Sequence, residues 1–210
     1  MGTDGVAGER PLSVGIFLFD DVEVLDFAGP FEVFSTASRL HARAGGARSL
    51  FTVFTVASEA RQVTARGGLV VSPRHSFADH PPIDLLIVPG GVVTAELARP
   101  EVIRWIAAAS AAARLTASVC TGALLLAAVG LLDGKRATTH WEDLDWLRRD
   151  FPAVRVEGDT RWIDEGSVVT SAGISAGIDM SLHLVSRLAG ADIASRTARQ
   201  MDFAWTDRGS

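Results

Sequence analysis

Cysteine is almost missing from this chain: Cys120 is the only one in 210 residues. An intramolecular disulfide and cysteine-based zinc sites are therefore excluded, and nothing points to an oxidising compartment. Positive charge is also short, with 20 Lys and Arg against 25 Asp and Glu and a net charge of −5. That is the wrong sign for a protein whose affinity rests on phosphate contacts, which argues against nucleic acid as a partner. The opening MGTDGVAGERPL has no apolar run of the length a secretory signal needs, so cytoplasmic residence is expected. His41, His75, His80 and His183 lack metal-ligand spacing, so no metal site is expected. No internal repeat or low-complexity tract is visible. Residues 1–12 read as a flexible leader and 13–210 as a single domain.

The longest uncharged run, Leu115 to Leu132, sits at the lower edge of what could span a bilayer. Ser118, Cys120, Thr121 and Gly122 interrupt it, LTASV has strand character, and ALLLAAVGLL is a good helix former. It reads as a buried strand turning sharply into a buried helix, not as a membrane segment.

What is present fits a globular protein: 48% hydrophobic and 21% charged residues. Near-continuous apolar strands are expected at SVGIFLF (13–19), FTVFTVA (51–57) and DLLIVPGG (84–91), with a more exposed strand at GGLVVSP (67–73). Short strands follow near 154, 162 and 169. Helices are expected after Gly29 and Pro30, over 101–113, from Thr121, over 175–188 and over 192–204. Thr139 and Glu142 have capping-box spacing for a further helix starting near His140. Alternating strands and helices of this kind predict an α/β sandwich around a mostly parallel sheet. Ligands in such sheets bind outside the carboxyl ends of the strands. That singles out Asp20 to Asp26, the PGG at 89–91, and Cys120 with Thr121.

Cys120 falls where a buried strand meets a helix, the setting of a nucleophile elbow. Unpaired amides and the dipole at the helix start should favour a thiolate, lowering the thiol from about 8.5 toward ~3.5 to 7.5. The alternative is a buried cysteine acting as a small hydrophobe.

The segments LFDDVEVLDFAGPFEVF, DLLIVPGG, SVCTGALLLAAVGLLDGKRATTHW and SAGISAGIDMSL together resemble the ThiJ/PfpI superfamily, related to class I glutamine amidotransferases. The resemblance runs from about Ser13 to Leu188. Within the superfamily it is most similar to the isonitrile hydratase group. It implies a flavodoxin-like three-layer sandwich, usually a homodimer, with Cys120 as nucleophile. Matching LDxxGP selects Asp26, over Asp20, Asp21 and Glu23, as the acid beside the sulfur. Burial and like-charge repulsion would drive such an acid toward its protonated form. A cap on the following helix is the ordinary alternative. The amides of Gly91 and Thr121 match the superfamily's oxyanion hole, although Gly91 could be only a turn and Thr121 only a helix cap. The implied activity is cofactor-free hydration of an isonitrile, a small-molecule substrate, to an N-substituted formamide.

One departure narrows the options. Several members of the superfamily, proteases included, place a His directly after the nucleophile, and here Thr121 stands there, which argues against peptidase activity. His140 and Asp179 are pocket candidates, with structural roles as their alternatives. Trp141, Trp146 and Trp162 fit either an interface or the core. Two rival functions remain: another thiol-dependent reaction, and a noncatalytic redox or ligand sensor. The sensor reading follows because the same domain resembles the ligand-binding half of AraC-like regulators. Those carry a DNA-binding domain after it, for which the residues up to Ser210 leave no room.

Overall fold

The computed structural model describes residues 10–205. Most of the leader expected over 1–12 therefore lies outside the described residues. Its last part does not behave as a leader. Arg10 forms a bidentate pair with Asp84, and Leu12 already belongs to the first strand.

In chain order the elements are β1 (Leu12–Phe17), α1 (Val24–Arg43), β2 (Phe51–Ala57), β3 (Val63–Thr64), β4 (Val70–Val71), β5 (His75–Ser76), β6 (Leu85–Val88), α2 (Thr94–Leu97), α3 (Pro100–Ala112), β7 (Leu115–Val119), α4 (Gly122–Ala128), β8 (Arg136–Ala137), α5 (Leu144–Asp150), β9 (Arg155–Val156), β10 (Trp162–Asp164), β11 (Val168–Ser171), α6 (Ala176–Ala189) and α7 (Ala191–Gln200). Seven strands form the main sheet in the order β10-β11-β7-β6-β1-β2-β5, parallel throughout except for β10. Two small two-stranded sheets, β3 with β4 and β8 with β9, stand apart from it. Helices α1, α6 and α7 pack together on one side, and α2, α3 and α4 on the other. This is the α/β sandwich that the alternation of strands and helices predicts, in the flavodoxin-like form that the resemblance implies.

The central strands are apolar from end to end because both their faces are covered. LLIV of β6 and LTASV of β7 are buried at every position, as are the last five residues of β1. The uncharged run that could have suggested a membrane is β7 followed by α4. Among the described residues no helix is long and apolar enough to cross a membrane.

Three local expectations need correction. Helix α1 starts at Val24, two turns before Phe31, so Pro30 lies inside it rather than at its entrance. Proline cannot donate to the carbonyl four residues back, and burial of both Gly29 and Pro30 against the core holds the helix together despite that loss. The GGLVVSP segment is a turn and the two-residue β4, paired with β3 away from the main sheet. The Thr139/Glu142 capping box does not form. His140 Nδ1 accepts the Glu142 amide at 3.4 Å, and a 3-10 turn over Trp141–Asp143 precedes α5. Thr139 is used elsewhere, as described below.

Four neighbouring strands, β11, β7, β6 and β1, end at the same edge of the sheet. Their exits are Ala172–Ile174, Cys120, Pro89–Gly91 and Leu18–Glu23. All the chemically rich segments meet there.

Candidate active site

Cys120 directly follows β7 and has φ 55°, a left-handed conformation that costs a residue with a side chain. Backbone hydrogen bonds hold it there. Its amide donates to Ser171 O at 3.2 Å and Ala172 O at 3.3 Å, and its carbonyl accepts from Thr139 Oγ1 at 2.8 Å. Glycines let the surrounding backbone close in. A side chain on Gly122 would run into the Val88 carbonyl, and one on Gly90 would meet the Thr121 amide and Cys120 Cβ. Here Gly is required by close approach. The result is an elbow that turns the sulfur out of the strand, with the residue 7% exposed.

Asp26 sits in the first turn of α1, entirely buried, with its Oδ2 accepting the Gly90 amide at 3.0 Å. It does not cap the helix, and Glu23 at the N-cap makes no side-chain cap either. Oδ1 of Asp26 has no well-formed hydrogen bond. Desolvation raises its pKa to about 7, with the Glu23 charge adding to the rise. The Gly90 amide opposes it most, followed by weaker contributions from the Cys120 thiol and the Ile174 backbone.

The thiol corrects another expectation. Burial, and next the Asp26 charge, push Cys120 up to about 12, against a smaller favourable contribution from the Thr121 amide. A helix start alone would lower it. Here desolvation wins, because the sulfur is packed between two strand ends with a carboxyl beside it. The sulfur and Asp26 titrate as one unit: a first proton leaves near neutrality and the second is held far above it.

Thr121 and Gly91 form a reciprocal pair. Gly91 N donates to Thr121 Oγ1 at 2.9 Å, and Thr121 Oγ1 donates to Gly91 O at 2.9 Å. The Gly91 amide is thus engaged in this state and not open to an oxyanion, unlike the expectation. The Thr121 amide is directed at the sulfur. Gly91, at φ 139°, also makes an isolated bridge to Val22, which ties the PGG turn to the segment after β1.

A cavity of about 270 Å³ opens over the sulfur, lined among others by Thr121, Gly91, Glu23, Arg66, His140 and Ile174. Asp26 is not on its wall. Glu23 pairs with Arg66 at 3.3 Å, and His140 Nδ1 lies 3.5 Å from Glu142 Oε2 and 3.6 Å from Asp143 Oδ2. Desolvation, then the Glu142 charge, raises the Asp143 pKa. Among the described residues no group of three or more His, Cys, Asp or Glu side chains is placed to hold a metal ion.

The structure thus brings Cys120, Asp26, Thr121, Gly91 and His140 together. Asp179 it does not: the residue is buried in α6, paired with Arg161, and is not on the wall of the Cys120 cavity. Trp162 is core, Trp146 is on the cavity wall, and Trp141 is exposed. Sequence reading missed Gly90, which binds the acid, and Thr139, which pins the elbow. The doubled glycine and the doubled threonine were the available signals. It also passed over the Glu23–Arg66 pair, which no spacing rule connects.

The chain matches the DJ-1/PfpI family over residues 12–187. It belongs to that family. Isonitrile hydratase of Pseudomonas putida is 37% identical over 92% of this chain and 79% of its own length. The transcriptional regulator GbdR of Pseudomonas aeruginosa is 32% identical over 89% of this chain, which spans about half (49%) of that regulator. A ThiJ/PfpI family protein from Pseudomonas syringae has the same fold, with a TM-score of 0.82 at 26% identity, covering 98% of this chain and 81% of the other. DJ-1/PfpI proteins therefore include both a hydratase and regulators among this chain's relatives.

Proposed function

We propose that this protein hydrates isonitriles to N-substituted formamides, with Cys120 as nucleophile and Asp26 as proton carrier. The observation that carries the reading is the fully buried Asp26 set beside the only thiol, in a chain 37% identical to a hydratase.

In the first half of the reaction the sulfur bonds to the terminal isonitrile carbon. The thiol proton passes through Asp26 to that same carbon, giving a thioimidate. In the second half water bonds to the carbon, the C=N electron pair goes to nitrogen, and a water proton is carried there. The resulting tetrahedral species collapses: the C–S bond breaks, the hydroxyl proton returns to sulfur, and the formamide leaves. No redox change occurs and no cofactor is required. A carboxyl titrating near 7 beside a thiol suits this traffic, since it gives and takes a proton at small cost at neutral pH. The Thr121 amide steadies charge on the sulfur, and the Thr121 hydroxyl holds the Gly91 turn. The reading carries with it a homodimer acting on a small molecule in the cytoplasm, with neither nucleic acid nor membrane as a partner. Light scattering at twice 22.3 kDa checks the dimer.

The test is formamide production from methyl and cyclohexyl isonitrile. Wild type forms product, and Cys120→Ala forms none. Failure of wild type on both, or full turnover by Cys120→Ala, overturns the reading. The similarity to GbdR favours a second one, a noncatalytic ligand-binding module. On that reading Cys120→Ala binds a formamide or isonitrile as wild type does, and neither consumes it.

A further inference from the structure

Glu23 is tied to the same glycine as the buried acid. Its amide donates to the Gly90 carbonyl at 2.9 Å, its carbonyl accepts the Asp26 amide at 3.2 Å, and the Gly90 amide binds Asp26 Oδ2 at 3.0 Å. Asp26 is buried, whereas Glu23 stands on the wall of the Cys120 cavity. We infer that Glu23 is a positioning residue of the Asp26–Cys120 pair: its carboxylate, fixed beside Asp26, holds the first proton on the pair and so sets the pH above which the sulfur becomes reactive. The inference deepens the hydratase reading, in which carboxyl and sulfur share that proton.

The side chain has no duty in the helix that would account for it. An acid at an N-cap ordinarily accepts an amide of the first turn. Glu23 caps nothing and bonds instead with Arg66 at 3.3 Å. Arg66 is carried there by the turn between β3 and β4, which bends through Gly67 and Gly68 at φ 74° and 85° and is pinned by the Arg66 amide on the Val22 carbonyl at 3.0 Å. With its side chain 23% exposed, Glu23 is partly withdrawn from solvent, so its field reaches Asp26 less screened than that of a surface charge. A fixed negative neighbour makes the loss of a proton costlier, the direction in which Glu23 acts on Asp26.

The other charged groups around the pair are engaged differently. Asp143, from the turn before α5, acts on the sulfur, and Glu142 is exposed; both lie against His140. Asp20, at the exit of β1, is paired with Arg61. On α6, packed against α1, Asp179 is bound to Arg161, and His183 and Arg187 are bound to Asp164. Asp192, Arg196 and Arg199 of α7 are exposed. Gly90 and Ile174 offer Asp26 only backbone.

The experiment follows alkylation of Cys120 by iodoacetamide against pH in wild type, Glu23→Gln, Glu23→Asp and Glu59→Gln, with circular dichroism as the folding control. Glu59 is an exposed acid whose loss changes net charge equally. Glu23→Gln should move the profile to lower pH by about half a unit, the size expected of one partly screened charge a few ångströms away. Glu23→Asp, which keeps the charge, and Glu59→Gln should follow wild type. The acid limb of formamide production from methyl isonitrile should move with the alkylation profile. Superimposable alkylation profiles for wild type and Glu23→Gln overturn the inference, and so does an equal shift in Glu59→Gln, which would mean a general effect of net charge. If the alkylation profiles separate as expected but wild type forms no formamide, the hydratase reading falls and the role of Glu23 at the thiol stands.

Discussion

The two sides of the Cys120 sulfur are built on opposite principles. Toward the core lies one carboxyl, entirely buried, with one amide bonded to one of its oxygens and nothing well placed on the other. Toward solvent lie an ion pair, an imidazole and two further carboxylates, most of them partly exposed. The inner side fixes a proton at a defined place by excluding water. The outer side leaves charges free to be screened. On the dry side a single proton changes the energy of both groups.

Removing the sulfur breaks the comparison completely: Cys120→Ala should lower formamide production by at least 10³-fold, measured by chromatography of the product. Neutralising the dry side comes next. Asp26→Asn should reduce turnover by about 10² to 10⁴-fold, the usual worth of a positioned acid–base group. The same substitution should stabilise the fold. Asp26 titrates at about 7 in the native state and near 3.9 when unfolded, so its own contribution to stability is full below pH 4, falls as pH rises from 4 to 7, and is level above. The drop is on the order of 4 kcal/mol. Urea unfolding of the two proteins across that range should show the stability difference between Asp26→Asn and wild type growing as pH rises from 4 to 7.

Smaller effects sharpen the contrast. Gly90→Ala forces a methyl group against the Thr121 amide and Cys120 Cβ and should cost about 1–3 kcal/mol in thermal unfolding, with loss of activity. Thr139→Val removes the bond to the Cys120 carbonyl and should cost ~1 kcal/mol. On the wet side, Glu23→Gln breaks an ion pair that is 3.3 Å long and partly exposed, and should change stability by less than ~1 kcal/mol in the same assay.

The layered fold could be read from the chain because buried parallel strands announce themselves as unbroken apolar runs, as in LLIV and LTASV. Cys120 and Asp26 were legible for different reasons, the first from its place between strand and helix and the second from the family pattern. What escaped was set by contacts between distant segments. No local rule says that Gly90, not Gly91, receives the Asp26 carboxyl, or that Thr139 reaches the Cys120 carbonyl instead of capping its own helix. The expected low thiol pKa failed for a similar reason. The helix start is visible in sequence, whereas the burial that overrides it depends on how four strand ends converge. Pro30 misled because its position within α1 is decided by the packing of Val24–Gly29 against the core.

Alkylation of Cys120 by iodoacetamide as a function of pH, in wild type and Asp26→Asn, probes the coupling of carboxyl and sulfur without any assumption about substrate. Loss of the negative neighbour should move the alkylation profile to lower pH in Asp26→Asn. Superimposable profiles would mean that the two groups titrate independently, and the account of the site would be wrong.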